Sequence, residues 1–208
     1  MEVNLDELTS SDVAELHEPL GLFKSWFEAA QKSEPCNAEA MALATAGANG
    51  LPNVRMVLLK DADALGFVFY TNSESAKGQE LERNMQAAAV FYWKSLGRQI
   101  RIRGSVTLVD PREADAYFKS RPLRSKIGAW ASQQSRPLKN RLTLEASAAK
   151  YAAKFALGEV PRPPYWLGYR ILPLYFEFWS EGSFRLHDRL VFRRQSQSEP
   201  WQKERLYP

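Results

Sequence analysis

The chain has 208 residues, 45% of them hydrophobic and 12% aromatic, which is enough apolar material for one sizeable core and excludes an intrinsically disordered protein. One cysteine and two histidines exclude an internal disulfide and a zinc site built on these residue types. No uncharged apolar run approaches membrane-spanning length and the first residues do not resemble a secretory signal, so we expect a cytoplasmic protein without a membrane partner.

The net charge of +4 is unevenly distributed along the chain. Residues 1–23 carry six acidic side chains and no lysine or arginine, whereas residues 98–126 carry eight basic side chains and three acidic ones. A broad basic surface is typical of nucleic-acid binding. Many of these cations, however, alternate with apolar residues in predicted strands, and pockets for small anions explain them equally well. We expect residues 1–19 to form a mobile acidic segment and residues 20–208 to form a single domain.

The first half of the chain combines two helices with several strands. Apolar residues at helical spacing predict an amphipathic helix over residues 20–32. The dipeptide Asn49-Gly50 is a strong hairpin signal. Good helix formers with few apolar residues predict a short exposed helix over residues 74–84. Runs rich in aromatic and β-branched residues predict strands over residues 41–45, 54–59, 66–71 and 87–94.

A clean alternation and a helix-capping signal follow in the middle of the chain. Residues 99–109 alternate in polarity, which predicts a strand with one apolar face formed by Ile100, Ile102, Val106 and Leu108. Asp110 then fits an N-cap, with Pro111 as the first helical residue and Glu113 as the capping-box partner. Because the residue before a proline avoids the helical region, Pro122 predicts that this helix ends near Ser120.

The last third of the chain returns from helix to strand. A longer helix is predicted over residues 138–157, followed by strands over residues 166–172, 175–180, 184–193 and 201–206. Strands dominate and their connections are hairpins, so the predicted fold is mainly β, an antiparallel barrel with peripheral helices. Neither a GxGxxG motif nor a P-loop is present.

Two basic segments are the strongest candidates for function. Residues 117–141 set cations, hydroxyls and amides close together, which suits a small phosphorylated ligand. Arg185, His187 and Arg189 stand at alternate positions and would share one face of a predicted strand. No catalytic carboxylate pair or nucleophile triad accompanies them. The combination indicates an enzyme whose chemistry belongs to a bound cofactor.

Several short segments, in this order, carry a resemblance to one family. They are Arg55-Met-Val-Leu-Leu-Lys60, Phe69-Tyr-Thr-Asn72, Arg98-Gln-Ile-Arg101, Tyr117 through Arg121-Pro122, Ile127-Gly-Ala-Trp130, Gln134-Ser135, Glu177-Phe-Trp179 and Arg185-Leu-His-Asp-Arg189. Together they make the sequence resemble the pyridoxamine (pyridoxine) 5′-phosphate oxidases from about residue 20 to the C-terminus. The resemblance implies an FMN-binding split β-barrel and a homodimer with two flavins at the subunit interface.

The resemblance also implies a role for individual residues. The implied FMN contacts are Arg55, Met56, Val57, Leu58, Leu59, Lys60, Tyr70, Thr71, Lys77, Gln99, Gln134, Ser135, Trp179 and Arg189. The implied substrate contacts are Lys60, Tyr117, Arg121, Ser125, Arg185, Leu186 and His187, of which Arg185 and His187 would lie against the pyridine ring as catalytic residues. No metal is implied.

The implied reaction is oxidation of pyridoxamine or pyridoxine 5′-phosphate by dioxygen to pyridoxal 5′-phosphate and hydrogen peroxide. Two departures from the family pattern stand out: Ala76 replaces an arginine that many members carry before Lys77, and the N-terminal segment is short and acidic, so it is given no binding role. One alternative is a different FMN-binding split-barrel protein, such as a flavin reductase. The alternative from another class is a basic nucleic-acid-binding barrel, although we expect no nucleic-acid partner.

Overall fold

A computed structural model describes residues 18–208, so all but the last two residues of the predicted mobile segment 1–19 lie outside the described part. The helices are α1 (Pro19–Ser33), α2 (Ala76–Arg83), α3 (Pro111–Ser120), α4 (Leu123–Ala131) and α5 (Arg141–Lys154). The strands are β1 (Ala40–Ala46), β2 (Pro52–Leu58), β3 (Asp61–Asp63), β4 (Gly66–Asn72), β5 (Gln86–Trp93), β6 (Arg98–Leu108), β7 (Trp166–Ser180), β8 (Asp188–Arg193) and β9 (Gln202–Arg205). The mainly β prediction is confirmed.

The nine strands form one antiparallel sheet that curls into a barrel. Its order is β2-β1-β5-β6-β7-β4-β3, and β8 adds to β7 while β9 adds to β8. The curl brings the chain after β2 beside β4, where the Lys60 N–H donates to the Val68 carbonyl at 2.8 Å. Residues that lie far apart along the sheet order therefore meet near Lys60.

The barrel is filled largely by aromatic side chains, and α1 contributes its apolar face to this core. Phe23 and Trp26 of α1 are fully buried. The Phe23 ring packs edge-on against Phe67 at 4.7 Å, and the Trp26 ring packs edge-on against Phe178 at 5.4 Å. Such pairs add to the free energy gained by burying the rings. The helix predicted over residues 20–32 is thereby confirmed.

A second, smaller core joins α3 and α4 to the start of β7. Its buried members are Phe118, Ile127, Val160 and Trp166. The two helices are separated at Pro122, as predicted, because Arg121 adopts extended backbone angles. This core fixes the position of the polar segment between α3 and α4 relative to the barrel.

Three of the turn and helix-end signals predicted from the sequence are confirmed, and the predicted capping box is wrong. The Asn49-Gly50 turn joins β1 to β2, with Gly50 at φ 72°. The Asp110 carboxylate caps α3 by accepting from the Arg112 N–H at 2.7 Å, and the helix ends at Ser120. Glu113, predicted to complete the capping box, instead accepts from the Arg170 guanidinium at 3.3 Å. The Glu113 carboxylate therefore pairs with the buried cation Arg170 on β7 and does not complete the capping box.

Larger differences lie in the second half of the chain. β7 is one strand of 15 residues, not two strands of residues 166–172 and 175–180, because β6 pairs with it across the predicted break. Residues 138–157 shorten to α5, which Asn140 caps through its side chain. Leu108, assigned to the apolar face, is 56% exposed at the last residue of β6, whereas Val106 on the same face stays buried.

The predicted strand over residues 184–193 is wrong at its start. Ser183–Arg185 form a 3₁₀ turn, with Phe184 at φ 57° and Arg185 at φ 66°, and β8 begins only at Asp188. The left-handed backbone ends the alternation, so Arg185, His187 and Arg189 do not share a strand face. Among residues 18–208, no helix is long and apolar enough to span a membrane.

The β6–β7 register shifts between Arg103 and Gly104, and this shift generates a stability prediction. A Cβ at this position would lie 1.9 Å from the Leu172 carbonyl oxygen, so the two longest strands would have to move apart. Gly104→Ala is expected to lower the free energy of unfolding by about 1–3 kcal/mol. Gly21→Ala is the matched control, since that Cβ meets nothing within 4 Å on helix α1 and should raise stability by about 0.5–1 kcal/mol. Urea unfolding of both variants measures the difference, and equal stability of the two would contradict the close approach.

Candidate functional site

A cavity of about 230 Å³ opens where β2, β4, α2, α3 and the start of β7 meet. We call it the lysine cavity, and its lining residues are Met56, Val57, Leu58, Lys60, Tyr70, Thr71, Lys77, Tyr117, Arg121, Gln134 and Trp166. All but Trp166 were predicted as cofactor or substrate contacts. An aromatic residue at the start of a strand is usually a core residue, so the sequence carried no signal for Trp166.

Lys77 is a buried cation whose hydrogen-bond partners are all neutral. Its side chain is 7% exposed, and Nζ donates to Thr71 Oγ1 at 3.0 Å, Ser75 Oγ at 3.1 Å and Gln134 Oε1 at 2.8 Å. Burial, together with the charge of Arg55, lowers the pKa of Lys77 to about 8. Within residues 18–208 no carboxylate pairs with this desolvated ammonium group, which makes it a candidate site for an anion.

The start of α2 strengthens this anion site. The Ser75 hydroxyl caps the helix by accepting from the Gly78 N–H at 3.3 Å. A Cβ on Gly78 would lie 2.2 Å from the Ser73 carbonyl oxygen, so only glycine allows this tight entry. The first N–H groups of a helix and its dipole favour negative charge at this end. Lys77 and the helix start therefore attract the same anion.

Arg121 is a second cation in the cavity that lacks an acceptor. Its guanidinium lies 4.9 Å from the Trp166 ring centre, and Trp166 stacks on Tyr70 at 4.8 Å. Burial lowers the pKa of Arg121. Its Nη1 atom is buried and has no hydrogen-bond partner within residues 18–208. Since an unsatisfied buried donor is costly, Arg121 is a candidate to bind a ligand oxygen.

Four residues assigned to this region lie outside the lysine cavity. Arg55 pairs with Glu80 at 3.0 Å and also donates to Thr45. Leu59 is 5% exposed in the barrel core, so only its backbone could face a ligand. Ser125 lies in the first turn of α4 and is half-buried, and Ser135 is exposed at φ 71°.

Glu80 is a structural partner that sequence reasoning missed. Its carboxylate accepts from Thr45, from Asn53 Nδ2 at 2.9 Å and from Arg55. Although burial raises the pKa of Glu80, these hydrogen bonds and the charge of Arg55 hold it below its ordinary value. Glu80 therefore pairs with Arg55, and although its charge also raises the pKa of Lys77, no carboxylate among residues 18–208 forms an ion pair with Lys77.

The remaining predicted residues form a second group, which we call the tryptophan cluster: Gln99, Trp179, Arg185, Leu186, His187 and Arg189. Gln99, Trp179 and Arg189 lie side by side, because Trp179 pairs with Gln99 on β6 and with Arg189 on β8. The His187 ring lies 4.7 Å from the Trp179 ring. Arg185 and Leu186 are exposed on the loop that precedes β8.

Glu177 holds Arg189 in the tryptophan cluster. It is 2% exposed, and its carboxylate contacts Arg189 Nε at 3.0 Å, Arg101 Nη1 at 3.2 Å and the Tyr175 hydroxyl at 2.7 Å. Burial raises the pKa of Glu177, but the hydrogen bonds from Arg189 and Tyr175 and the charge of Arg101 hold it below its ordinary value. The sequence signal was a lone carboxylate inside an aromatic strand, which requires a paired cation.

The two groups lie at opposite ends of β7. Tyr70 of the lysine cavity pairs with Gly168, and the tryptophan cluster is built around Trp179. Eleven residues of strand separate these positions, a contour length of about 36 Å. None of the cluster residues lines the lysine cavity. Within one chain, the predicted contacts therefore form two partial sites.

Two family models match consecutive parts of the chain. The model described as pyridoxamine 5′-phosphate oxidase matches residues 27–155, and the model described as pyridoxine 5′-phosphate oxidase C-terminal dimerisation region matches residues 166–208. The first contains the whole lysine cavity except Trp166. The second contains the tryptophan cluster except Gln99.

Curated relatives match over almost the whole chain. The pyridoxine/pyridoxamine 5′-phosphate oxidase of Allorhizobium ampelinum is 56% identical over 203 residues, 98% of either chain. That of Nitrobacter winogradskyi is 59% identical over 202 residues, 97% of this chain and 95% of the relative.

Solved structures share the fold. PhzG from Burkholderia lata 383, crystallised with tetrahydrophenazine-1-carboxylic acid, superposes with a TM-score of 0.89 at 33% identity, covering 99% of this chain and 100% of that one. A pyridoxamine 5′-phosphate oxidase-related, FMN-binding protein from Nostoc punctiforme has a TM-score of 0.73 at 18% identity, covering 92% of this chain and 98% of that one. The second likeness concerns the fold alone.

The lowered pKa of Lys77 generates a prediction for the ligand-free protein. Between about pH 8 and the ordinary lysine value of 10.5, the unfolded chain binds a proton at this residue that the folded chain has lost, so stability rises with pH. The gain from pH 8 to pH 10 is expected to be on the order of 2 kcal/mol. Urea unfolding at both pH values measures it.

Lys77→Met should abolish this gain and be more stable than the parent at pH 8. Lys150→Met, at an exposed lysine of α5, is the control and should keep the gain. A pH dependence unchanged in Lys77→Met would contradict the assignment of a desolvated ammonium group.

Proposed function

The chain belongs to the pyridoxamine 5′-phosphate oxidase family, and on that premise we propose that it oxidises pyridoxamine or pyridoxine 5′-phosphate, with FMN as its cofactor and dioxygen as the electron acceptor. The observation that carries the proposal is the pair of desolvated cations, Lys77 and Arg121, in one cavity. FMN and the substrate each bring one phosphate.

The residues present fit a flavin phosphate at Lys77. The Lys77 ammonium group, positioned by the Thr71 and Ser75 hydroxyls that accept from it, and the first N–H groups of α2 offer the donors that a phosphate needs, although Ala76 contributes no second cation. Beside them, Met56 and Leu58 offer exposed apolar surface to a planar ring system. When bound, the flavin supplies the acceptor for the hydride that leaves substrate C4′ and passes the electrons on to dioxygen.

The substrate phosphate is assigned to Arg121. The guanidinium lies against Trp166 in the cavity wall, and one of its buried donors has no partner within residues 18–208, which suits the forked recognition of a phosphate. Tyr117 and Lys60 line the same cavity, and Ser125 is one turn beyond Pro122. Arg55, Ser135 and the backbone at Leu59 remain proposed flavin contacts at its edge.

A second copy of the chain completes the proposed site. The tryptophan cluster and the lysine cavity lie at opposite ends of β7, so one chain cannot close both around one ligand. A two-fold dimer in which each cluster covers the other chain's cavity resolves this separation. Exposed apolar residues on β2 are consistent with a dimer interface beside the lysine cavity, since Val54 is 64% exposed and Met56 is 62% exposed. In this dimer, Gln99, Trp179 and Arg189 contact the flavin.

Arg185, Leu186 and His187 of the partner would then cover the pyridine ring of the substrate. The protein offers anchors for two phosphates and a closed, aromatic environment, and the proposed mechanism assigns no nucleophile to it. Catalysis rests on holding C4′ against the flavin and on electrostatic stabilisation.

The alternatives are less well supported. Several cations that could serve a nucleic-acid-binding surface are instead paired with carboxylates, namely Arg101, Arg162, Arg170 and Arg193. A flavin reductase would have no use for the donor on Arg121. A cytoplasmic location is proposed with the function, in keeping with the exposed free thiol of Cys36.

The first functional prediction concerns the electron donor. The purified protein is expected to be yellow, and under anaerobic conditions pyridoxamine 5′-phosphate should bleach the flavin absorbance while NADH and NADPH should not. Readmitting air should restore the band and release one hydrogen peroxide per turnover. Bleaching by a nicotinamide cofactor alone would favour the reductase, and a colourless protein that retains single-stranded DNA would favour the nucleic-acid-binding alternative.

The second functional prediction concerns the shared site. Arg121→Ala is expected to keep its flavin and to bind substrate about ten- to a hundredfold more weakly, through loss of a charge-assisted hydrogen bond. Arg185→Ala should keep its flavin and lose turnover. When the two variants are mixed, mildly unfolded and refolded together, about a quarter of wild-type activity should return at low substrate. Half of the randomly formed dimers are hybrids that contain one chain of each variant, and each hybrid has one intact site of its two.

Lys77→Ala is the control for the assignment of the two phosphates, because this variant should lose its flavin. Differently tagged chains verify that hybrids form. Hybrids without recovered activity would contradict a site built from two chains.

A further inference from the structure

We propose that the backbone of Gly182 fixes His187 as the tautomer that carries its proton on Nε2, so that the group offered to the substrate is a hydrogen-bond donor and not a base. This inference rests on the proposed function, because it assigns Gly182 as a positioning residue for the same site. His187 remains the residue that contacts the substrate.

The contact between the two residues defines the tautomer. The Gly182 N–H donates to His187 Nδ1 at 3.2 Å. In a neutral imidazole one nitrogen carries the proton and the other accepts, so an accepting Nδ1 leaves the proton on Nε2. The ring is also held by Trp179, at 4.7 Å and an interplanar angle of 42°. Both the orientation of the ring and the position of its proton are therefore set before substrate arrives.

The loop between the two residues is closed tightly enough to hold this contact. A Cβ on Gly182 would lie 2.0 Å from the Leu186 carbonyl oxygen, so the backbone turns back on itself at this glycine. The Leu186 N–H donates to the Ser183 carbonyl at 3.0 Å inside the turn, and Phe184 and Arg185 adopt left-handed angles. Consecutive left-handed residues without glycine are energetically costly, and such strain is typical of functional loops.

Both ends of the loop are anchored to the barrel. On one side, the Glu181 N–H donates to the Gly97 carbonyl at 2.8 Å. On the other side, β8 begins at Asp188, which pairs with Ser180. His187 therefore belongs to a rigid segment although its neighbours Phe184 and Leu186 are exposed.

A fixed Nε2–H limits what His187 can do in the reaction. The substrate ring carries acceptors, its nitrogen and its 3-oxygen, and a fixed donor orients and binds one of them. In the proposed reaction the C4′ hydrogen would leave with its electron pair to the flavin, and the proton of the 4′ hydroxyl or amine would leave separately to solvent water. Because Nε2 already holds a proton, it does not take up this second one.

The direct test is nitrogen NMR of the flavin-loaded dimer. The chain has two histidines, so a His17→Gln protein labelled with ¹⁵N-histidine gives the signals of His187 alone, and His187→Asn confirms the assignment by removing them. At pH 8, where an ordinary histidine is neutral, Nδ1 should have the shift of an unprotonated nitrogen and Nε2 that of a protonated one. The reverse pattern, or an average of the two, would overturn the proposal.

Kinetics of two substitutions give a second, independent test. The side-chain amide of Gln reaches the position of Nε2 and can donate there, whereas that of Asn reaches only the position of Nδ1. His187→Gln should therefore retain kcat/KM within about tenfold of the parent, and His187→Asn should lose about a further tenfold, mostly in KM. Equal losses confined to kcat would indicate a base and overturn the assignment.

Gly182→Ala tests the positioning role, with Gly158→Ala as control because its Cβ meets nothing within 4 Å. Gly182→Ala should mix the two tautomers in the NMR spectrum, and a spectrum unchanged from the parent would contradict the role of this glycine. The tautomer can be read without turnover. A chain that lacks oxidase activity but shows the fixed Nε2–H would therefore refute the proposed function and leave the hydrogen bond intact.

Discussion

Pairing between β6 and β7 is the interaction on which the rest of the molecule depends. It runs from Arg98 opposite Ser180 to Leu108 opposite Tyr169, with one shift in register at Gly104. β7 also pairs with β4 near its start and with β8 near its end. β7 thus connects β6, β4 and β8 in one sheet, and the lysine cavity and the tryptophan cluster lie at its two ends. Because β7 is long, the two groups of predicted contacts are far apart within one chain.

The desolvated cations named above fall into two electrostatic classes. Arg170 on β7 contacts both Asp63 and Glu113, and Arg189 contacts Glu177, so these two cations are neutralised within the chain. Lys77 and Arg121 are also desolvated, but their contacts are neutral groups and aromatic rings. Because a desolvated charge without an ion-pair partner is costly, and none is present for these two within residues 18–208, the proposed role of the second class is to bind an external anion.

Sequence patterns predicted the parts of the fold that depend on neighbouring residues. The break at Pro122, the cap at Asp110 and the turn at Asn49-Gly50 each follow from local chemistry. Patterns failed where distant pairing decides: β7 continues through its predicted break because β6 pairs along it, and Glu113 leaves its predicted cap for Arg170. The alternation at residues 184–189 was misleading, since polarity does not report the left-handed angles of Phe184 and Arg185.

For the candidate site, motifs gathered ten residues that line one cavity, but no local pattern could separate them from the second group at the other end of β7. That separation is a property of the folded sheet. Trp166 and Glu80 were missed because their importance lies in which side chains they touch, and contacts between distant segments leave no periodic trace, whereas Glu177 was detectable as a lone carboxylate in an aromatic strand. Their roles, like those of the predicted residues, remain proposals.

The buried ammonium group of Lys77 also has a consequence for the lifetime of the protein. A ligand that binds only the folded chain stabilises it by about 2.7 kcal/mol at a hundredfold excess over its Kd. A newly synthesised chain that has not yet acquired its anion lacks this gain and unfolds more often, and unfolded chains are the ones that proteases degrade. Under the proposed function, the cellular abundance of the protein then follows the supply of the phosphorylated cofactor, without any change in gene expression.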